Sequence, residues 1–240
     1  MIESFTGGGI VGLTVAFEQF ANHVTLVELD DQVAAVWQTI LNGEGEWLAH
    51  KIITFDLTHE SVKIELSKIN LSLPEKAFQT ILKNRVNRGG MLVEEAGMLK
   101  YGDNGKGLAS RWYPETLKKR ILDIVAIRDR ITFIKGDDLE VLRQNTHRTD
   151  VVFFIDPPYT AAGKKAGSRL YAHSELDHEE LFRVVSRLAG DFLMSYSDDE
   201  WVRQLAQHHN FDIRKVPMKN THHAKMTELL IGRNLTWMAK

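Results

Sequence analysis

Three short apolar runs punctuate the chain: Val24 to Leu29 (VTLVEL), Val151 to Ile155 (VVFFI) and Phe192 to Tyr196 (FLMSY). Runs this short and continuous, rich in β-branched and aromatic residues, suit strands buried on both faces, as in a parallel sheet. Between them the apolar period changes. Gln32 to Leu41 carries Val33, Val36, Trp37, Ile40 and Leu41 at helical spacing, and Glu179 to Leu188 carries Leu181, Val184, Val185 and Leu188 in the same way. Strands alternating with helices predict an α/β fold with a doubly wound, mostly parallel sheet. The middle of the chain departs from this. Asn87-Arg88-Gly89-Gly90 and the stretch Tyr101 to Gly107 concentrate glycine with Asn and Asp, which make turns rather than long elements. Residues 58–114 therefore read as an insertion, with 1–57 and 115–240 forming the body of the domain.

Charge sharpens that division. The net charge of −2 says little, but residues 83–135 carry twelve Lys and Arg against six Asp and Glu, whereas residues 1–82 carry four against eleven. A basic island between acidic flanks is the footprint of polyanion binding, or equally a solvated surface. Apolar content of 43% and charged content of 26% are ordinary for a globular protein. No stretch approaches the roughly 18 apolar residues of a membrane span, and the first residues lack the basic-then-apolar pattern of a secretory signal. There are no cysteines, which excludes disulfides, zinc-thiolate sites and cysteine nucleophiles. A cytoplasmic location is expected.

Gly7-Gly8-Gly9-Ile10-Val11-Gly12 matches G-x-G-x-x-G, and Glu28 follows at the end of a strand-like run. Glycines let the backbone turn tightly and approach a ligand closely. A carboxylate at the end of the next strand can accept hydrogen bonds from ribose hydroxyls. Alone, this pattern is a nucleotide-binding fingerprint and looks like the start of flavin oxidoreductases. It should then follow a full apolar strand, but only four residues precede Phe5, and no second nucleotide-binding segment is apparent.

Asp156-Pro157-Pro158-Tyr159 directly follows the VVFFI run. By average residue usage such a tetrapeptide arises in on the order of one in a thousand chains of this length. Its place matters too, because ligands of open α/β sheets bind beyond the carboxyl ends of the strands. The residue types fit one chemistry. An exocyclic amine on a nucleobase is a poor nucleophile, because its lone pair is delocalised into the ring. A carboxylate accepting one N–H and a proline carbonyl accepting the other would aim that lone pair at a methyl donor. Proline fixes the turn and removes an unhelpful N–H. A tyrosine ring offers a stacking face for a base rotated out of a duplex. Positioning and electrostatics then suffice, without a metal.

With these residues the chain resembles the Dam-like class of DNA adenine-N(6) methyltransferases, over essentially its whole length. Glu3-Ser4-Phe5-Thr6-Gly7-Gly8-Gly9 resembles the first cofactor motif of that class, with Ser4 where proline is usual. Val27-Glu28-Leu29-Asp30 resembles the second and Phe133-Ile134-Lys135-Gly136-Asp137 the third. The resemblance implies a Rossmann-like fold and S-adenosylmethionine as cofactor. It implies that Phe5, Thr6, Gly7, Gly8, Gly9, Glu28, Leu29, Asp137 and Asp156 line the cofactor site, with Glu28 on the ribose and Asp137 near the cofactor adenine. Asp156, Pro157, Pro158 and Tyr159 would be the catalytic set. Asn84 to Gly89 and Arg111-Trp112-Tyr113-Pro114 resemble the recognition region. Asn87, Arg88, Arg111 and Lys118 are therefore expected to contact double-stranded DNA, and Lys164 and Lys165 to grip phosphates beside a flipped base. Leu176 to Leu181, Met194 to Ser197 and Glu228 to Ile231 resemble later segments.

Aspartate at the first position of the tetrapeptide is similar to adenine-specific members. Serine there marks cytosine-amine enzymes, and asparagine is common in RNA and protein-glutamine ones, so an RNA or cytosine-amine substrate is the alternative. Members of the class carry a further segment, with a Gly-Gly-Lys motif, ahead of the first motif. Without it, this chain is expected to bind cofactor weakly and to be marginally stable, or to be an inactive remnant. His208-His209 and His222-His223 lack acidic or cysteine partners at ligand spacing, so no metal is expected. Whether the enzyme would serve a restriction-modification system is not legible.

Overall fold

The computed structural model describes residues 1–93, 96–100, 105–158, 176–219 and 225–238. They pack as two compact units: residues 1–29, 136–158 and 176–238 in the first, and residues 30–135 in the second. The stretch predicted as an insertion, 58–114, lies within the second unit, which also takes in 30–57 and 115–135.

The first unit is built on a sheet. Its strands are β1 (Ile2–Ser4), β2 (Val24–Glu28), β4 (Val152–Ile155), β5 (Asp191–Ser197), β6 (Asp212–Lys219) and β7 (Lys225–Gly232), and they lie in the order β2-β1-β4-β5-β7-β6. The three apolar runs of the sequence became β2, β4 and β5. β1 pairs in parallel with β2 through Ile2↔Thr25 and with β4 through Ser4↔Ile155. β4 pairs in parallel with β5 through Ile155↔Met194. The C-terminal hairpin reverses direction: β7 runs antiparallel to β5, and β6 antiparallel to β7.

Helix α1 (Ile10–Phe17) carries the chain from β1 to β2, and α8 (His178–Val185) lies between β4 and β5 in the sequence. The two connections run in opposite directions along the sheet, and right-handed crossovers then place their helices on opposite faces. The side chains agree. Ile2, Phe153, Ile155, Met194 and Tyr196 join one core with Leu181, Phe182 and Val185 of α8 and Leu139 and Leu142 of α7 (Asp138–Gln144). The alternate residues Glu3, Val24 and Leu26 meet Gly12 of α1 on the other side. Phe153, Phe182, Met194 and Tyr196 are essentially solvent-free, each contributing roughly 1.5–3 kcal/mol by burial. The expected α/β, doubly wound, mostly parallel sheet is thus observed, and it changes winding direction between β1 and β4.

Aspartates start the remaining helices. Asp137 accepts from Leu139 N–H (2.8 Å) at the head of α7, Asp177 from Glu180 N–H (2.9 Å) at α8, and Asp199 from Trp201 N–H (2.8 Å) at α9 (Glu200–His208). Each such cap stabilises its helix by about 1 kcal/mol.

The second unit is mainly helical. α2 (Asp31–Thr39) is capped by Asp30 and widens into a π-type turn over Ile40–Glu44, where Gly43 takes φ 100°; α3 (Gly45–Thr54) follows. α4 (His59–Leu66) opens on a Thr58–Ser61 capping box and α5 (Leu73–Val86) on a Ser72–Glu75 box with Pro74 in the first turn. Short 3-10 turns at Arg88–Gly90 and Gly107–Arg111 lead to α6 (Pro114–Ala126) and β3 (Ile131–Lys135). Among the described residues, no helix is long and apolar enough to cross a membrane.

Candidate active site

In open α/β sheets the crevice where the winding direction changes is where ligands bind, beyond the strand carboxyl ends. Here that point lies between Ser4, at the end of β1, and Ile155, at the end of β4, which are direct neighbours. The segments leaving those two ends are the glycine loop and Asp156-Pro157-Pro158.

The glycine loop is fixed from below and from both sides. Thr6 N–H donates to Val27 O (2.9 Å), its hydroxyl donates to Glu3 O (2.9 Å), and Val27 N–H donates to that same hydroxyl oxygen (2.9 Å). Gly7 N–H donates to Glu28 Oε2 (2.8 Å). Phe5 takes φ 58°, a left-handed conformation that costs a non-glycine residue on the order of 1–3 kcal/mol. Its N–H donates to Asp138 Oδ1 at 2.6 Å, which pins the turn. Gly7 (φ 49°) and Gly9 (φ 62°) need the same region, where glycine pays no steric penalty. A Cβ placed on Gly7 or Gly8 would meet nothing within 4 Å, so the outer side of the loop is open.

Gly12, the last glycine of the fingerprint, has a different reason. A Cβ there would fall on the Glu3 carboxylate and within 2.6 Å of Leu26 Cδ2. Glycine lets α1 sit directly on β1, and Gly12 N–H donates to Glu3 Oε2 at 2.5 Å. Glu3 thus serves the start of α1, which has no side-chain cap of its own. Gly12→Val should cost roughly 3 kcal/mol or more by overpacking. Chemical denaturation measures this, and an unchanged midpoint would show that α1 does not lie this close to the strand.

Asp156 is exposed at the end of β4, Pro157 is buried and Pro158 half-buried. Ser195 of β5 donates its hydroxyl to Asp156 Oδ1 at 2.5 Å. Glu28 is half-buried and Leu29 partly exposed beside it. Gly136 N–H reaches Glu28 O (3.1 Å), so the third motif arrives at the end of β2. Asp137 is exposed and engaged in capping α7, whereas its neighbour Asp138 is buried and holds Phe5.

Acids dominate the electrostatics. Burial pushes the Glu3 carboxyl up to about 7, with Asp156 adding repulsion against the opposing Gly12 and Val11 N–H groups. Burial likewise pushes Asp138 up to about 8, with Glu28 and Asp137 adding to it and the Phe5 N–H opposing it. Glu228 of β7 is raised by burial and then by Asp156. Such a site favours cations and neutral donors over anions.

No protein-family model matches this chain, and no curated protein does. Several solved structures share a loose resemblance. A candidate methylase from Haemophilus influenzae is 12% identical with a TM-score of 0.41, covering 98% of this chain and 85% of that one. M. capricolum TrmK, solved with S-adenosyl-homocysteine, is 7% identical with a TM-score of 0.41, covering 98% and 61%. An rRNA methyltransferase from Streptomyces viridochromogenes is 8% identical with a TM-score of 0.37, covering 97% and 76%. At TM-scores this low the likenesses carry no argument about this chain's chemistry.

The structure therefore gathers Phe5, Thr6, Gly7, Gly8, Gly9, Glu28, Leu29, Asp137 and Asp156 at the carboxyl ends of neighbouring strands of one unit. Tyr159, Lys164 and Lys165 lie outside the described residues. Asn87, Arg88, Arg111 and Lys118 belong to the second unit. Asn87 is buried there, its amide donating to Met91 O (2.9 Å) and its carbonyl accepting from Arg111 Nη1 (3.2 Å). Arg88 is exposed and Lys118 partly so. Among the described residues, no group of three His, Cys, Asp or Glu is placed to hold a metal ion.

Sequence reasoning gave no separate role to Glu3, Asp138, Ser195 or Glu228. The Asp137-Asp138 pair held a usable signal: the first aspartate before a helix caps it, which turns the second toward the core.

Proposed function

We propose that this chain is an S-adenosylmethionine-dependent methyltransferase acting on the exocyclic amine of adenine in DNA. The observation that carries the reading is the position of Asp156-Pro157-Pro158. It leaves β4 at the winding switch, beside the glycine loop that leaves β1, with the Asp156 carboxylate oriented by Ser195.

The residues fit the cofactor. The open side of Gly7 and Gly8 allows close approach. Glu28 stands where a ribose is held, and a carboxylate accepts several hydrogen bonds at once, so ribose hydroxyls can join the Gly7 N–H. The carboxylates of Glu28 and Asp156, at the ends of β2 and β4, offer acceptors to a ligand that carries a sulfonium and an ammonium group. When bound, that cofactor supplies an electrophilic methyl carbon. Asp156 accepts one N–H of the target amine and a carbonyl of the double proline accepts the other. Held by those two acceptors, the target nitrogen would present its lone pair to that methyl carbon. The choice of adenine and of DNA rests on the aspartate and on the family resemblance.

Incubation with isotopically labelled S-adenosylmethionine and either duplex DNA or RNA, followed by digestion to nucleosides, tests the reading. Label is expected in N6-methyldeoxyadenosine. Label confined to methylcytosine or to RNA would move the substrate, and absence of cofactor binding by calorimetry would overturn the whole. Glu28→Gln should weaken that binding roughly tenfold to a hundredfold, because charge-assisted bonds are worth about 1.5–3 kcal/mol. Unchanged affinity would place the ribose elsewhere.

A further inference from the structure

Among the helices described in the first unit, α1 alone lies on its face of the sheet. α7, α8 and α9 send their apolar side chains into the core on the other face. α1 covers β1 and β2, where Gly12 meets Glu3, Val24 and Leu26. Beyond it the same face continues across β4, β5 and β7. Phe153, Ile155, Met194 and Ile231 point into the core, so the residues between them point the other way. The pairing register sets Phe154 beside Leu193, and Leu230 opposite Ser195, on this second face. Val152 there is 53% exposed, and Phe154, Leu193 and Leu230 are partly exposed. Parallel strands are ordinarily covered on both faces. These strands carry the apolar residues of a covered face, with no described helix of their unit over them.

α1 is itself apolar all round. Ile10–Phe17 has no charged residue, and its one hydroxyl, on Thr14, donates back to Ile10 O at 2.7 Å. A helix of that kind belongs in an interior. Gly12 and Ala16 are buried, but Ile10 is 76% exposed and Phe17 41%. Just past the helix Gln19 takes φ 59°, and Phe20 N–H donates to Val15 O at 3.0 Å. Fixed backbone thus holds Phe20 out, 75% exposed. A cleft of about 620 Å³ separates this end of α1 from the open strand, with Val15 and Phe20 on one wall and Ile2 and Val152 on the other.

We propose that this face is the interface of a symmetric dimer of the chain, in which the two α1 helices lie antiparallel, side by side, and each covers the open β4–β5–β7 face of the partner. The unit carries a groove that lacks a helix and, next to it, a helix that lacks a cover. A twofold axis sets each into the other at once. The area suffices for a start. Ile10, Phe17, Phe20 and Val152 together expose roughly 400–500 Å², taking about 150–250 Å² for a full aromatic side chain. That is more than half of the roughly 800 Å² per partner that a stable interface buries, and Leu13, Phe154, Leu193 and Leu230 add to it. The rim is mixed in sign, with Glu18 and Asp191 against Arg148 and Arg214. A surface that meets its own copy needs that mixture, whereas a strongly charged partner would select one sign.

Sedimentation velocity of the full chain across roughly 1–100 µM tests this, because an interface of this size supports association in that range. A dimer is expected, and the wild-type melting temperature should rise with concentration. Ile10→Glu and Phe20→Glu charge side chains that are about three-quarters exposed in the monomer. Each should leave the melting temperature of the dilute protein unchanged and weaken the dimer at least about a hundredfold, since a buried unpaired charge is costly. The chain has no cysteine, so Val15→Cys should crosslink to its counterpart under mild oxidation, whereas Lys63→Cys, exposed on α4, should not. A wild-type chain that stays monomeric throughout would mean that something else covers this face, and overturns the proposal. So does a dimer that both glutamates leave intact, or equal crosslinking through the two cysteines. If a glutamate variant fails to fold, the wild-type dilution series and the crosslink decide.

Discussion

Asp156→Ala is expected to cut methyl transfer by more than about a hundredfold, a loss of ~3 kcal/mol in transition-state stabilisation, while the protein folds and keeps the larger part of its cofactor affinity. The carboxylate is exposed at a strand end, and Ser195 is its hydrogen-bond donor across to β5. Its charge raises the proton affinity of both Glu3 and Glu228, so its removal should, if anything, ease the folded state near neutral pH. Ser195→Ala should cost far less, roughly tenfold, because it removes one hydrogen bond to a charged group and leaves the charge. Steady-state kinetics with melting curves on both variants decides this. An Asp156→Ala enzyme that keeps more than about a hundredth of the wild-type rate would show that the amine is held by other groups.

Stability is expected to fall as pH rises from about 5 to about 8.5. Glu3 and Asp138 keep their protons in the folded protein up to about 7 and about 8, whereas an unfolded chain releases them near pH 4. Between those limits the folded state binds more protons than the unfolded one, so each group's contribution is complete below pH 4 and drains as pH climbs to its folded value. The slope is about 1.4 kcal/mol per pH unit for each group while it holds its proton. Asp138→Asn preserves an oxygen for the Phe5 N–H without a titratable proton. It should flatten part of this slope and melt above the wild type at pH 8.5. Melting temperatures from pH 5 to 9 for both proteins check it. A flat wild-type profile, or an Asp138→Asn protein less stable at pH 8.5, would mean that Asp138 is ionised in the fold.

Much of the sheet was legible because its parallel strands are covered on both faces. VTLVEL, VVFFI and FLMSY are continuous apolar runs for that reason, and they became β2, β4 and β5. The helix read over Gln32 to Leu41 was found at Asp31–Thr39, ending where Gly43 forces a wider turn. That read over Glu179 to Leu188 was found at His178–Val185. β1 was visible only through the fingerprint it precedes, since Ile2-Glu3-Ser4 is polar at two of three positions; Glu3 is buried there because the amides of α1 engage it. α5 went unread, because 58–114 was judged by its glycine-rich turns, although Ser72 and Glu75 cap that helix. The site was legible wherever backbone geometry dictates residue type, as at the glycines and the prolines. Asp138 and Ser195 escaped because their roles come from tertiary neighbours more than a hundred and some forty residues away in sequence, Phe5 at 133 and Asp156 at 39. Periodicity does not report such pairs.

The hairpin that closes the sheet also governs how this protein behaves when concentrated. β6 is the outer strand, and an outer strand with free amides and carbonyls recruits strands from other molecules. Here Arg214 and Lys215 are exposed along it, Lys215 is tied to Asp198 at 3.0 Å, and exposed Pro217 has no N–H to offer an incoming chain. An approaching copy meets positive charge and a gap in the donor row, so edge-to-edge stacking, the common route from a folded α/β protein to a fibrous aggregate, is blocked at the strand most open to it.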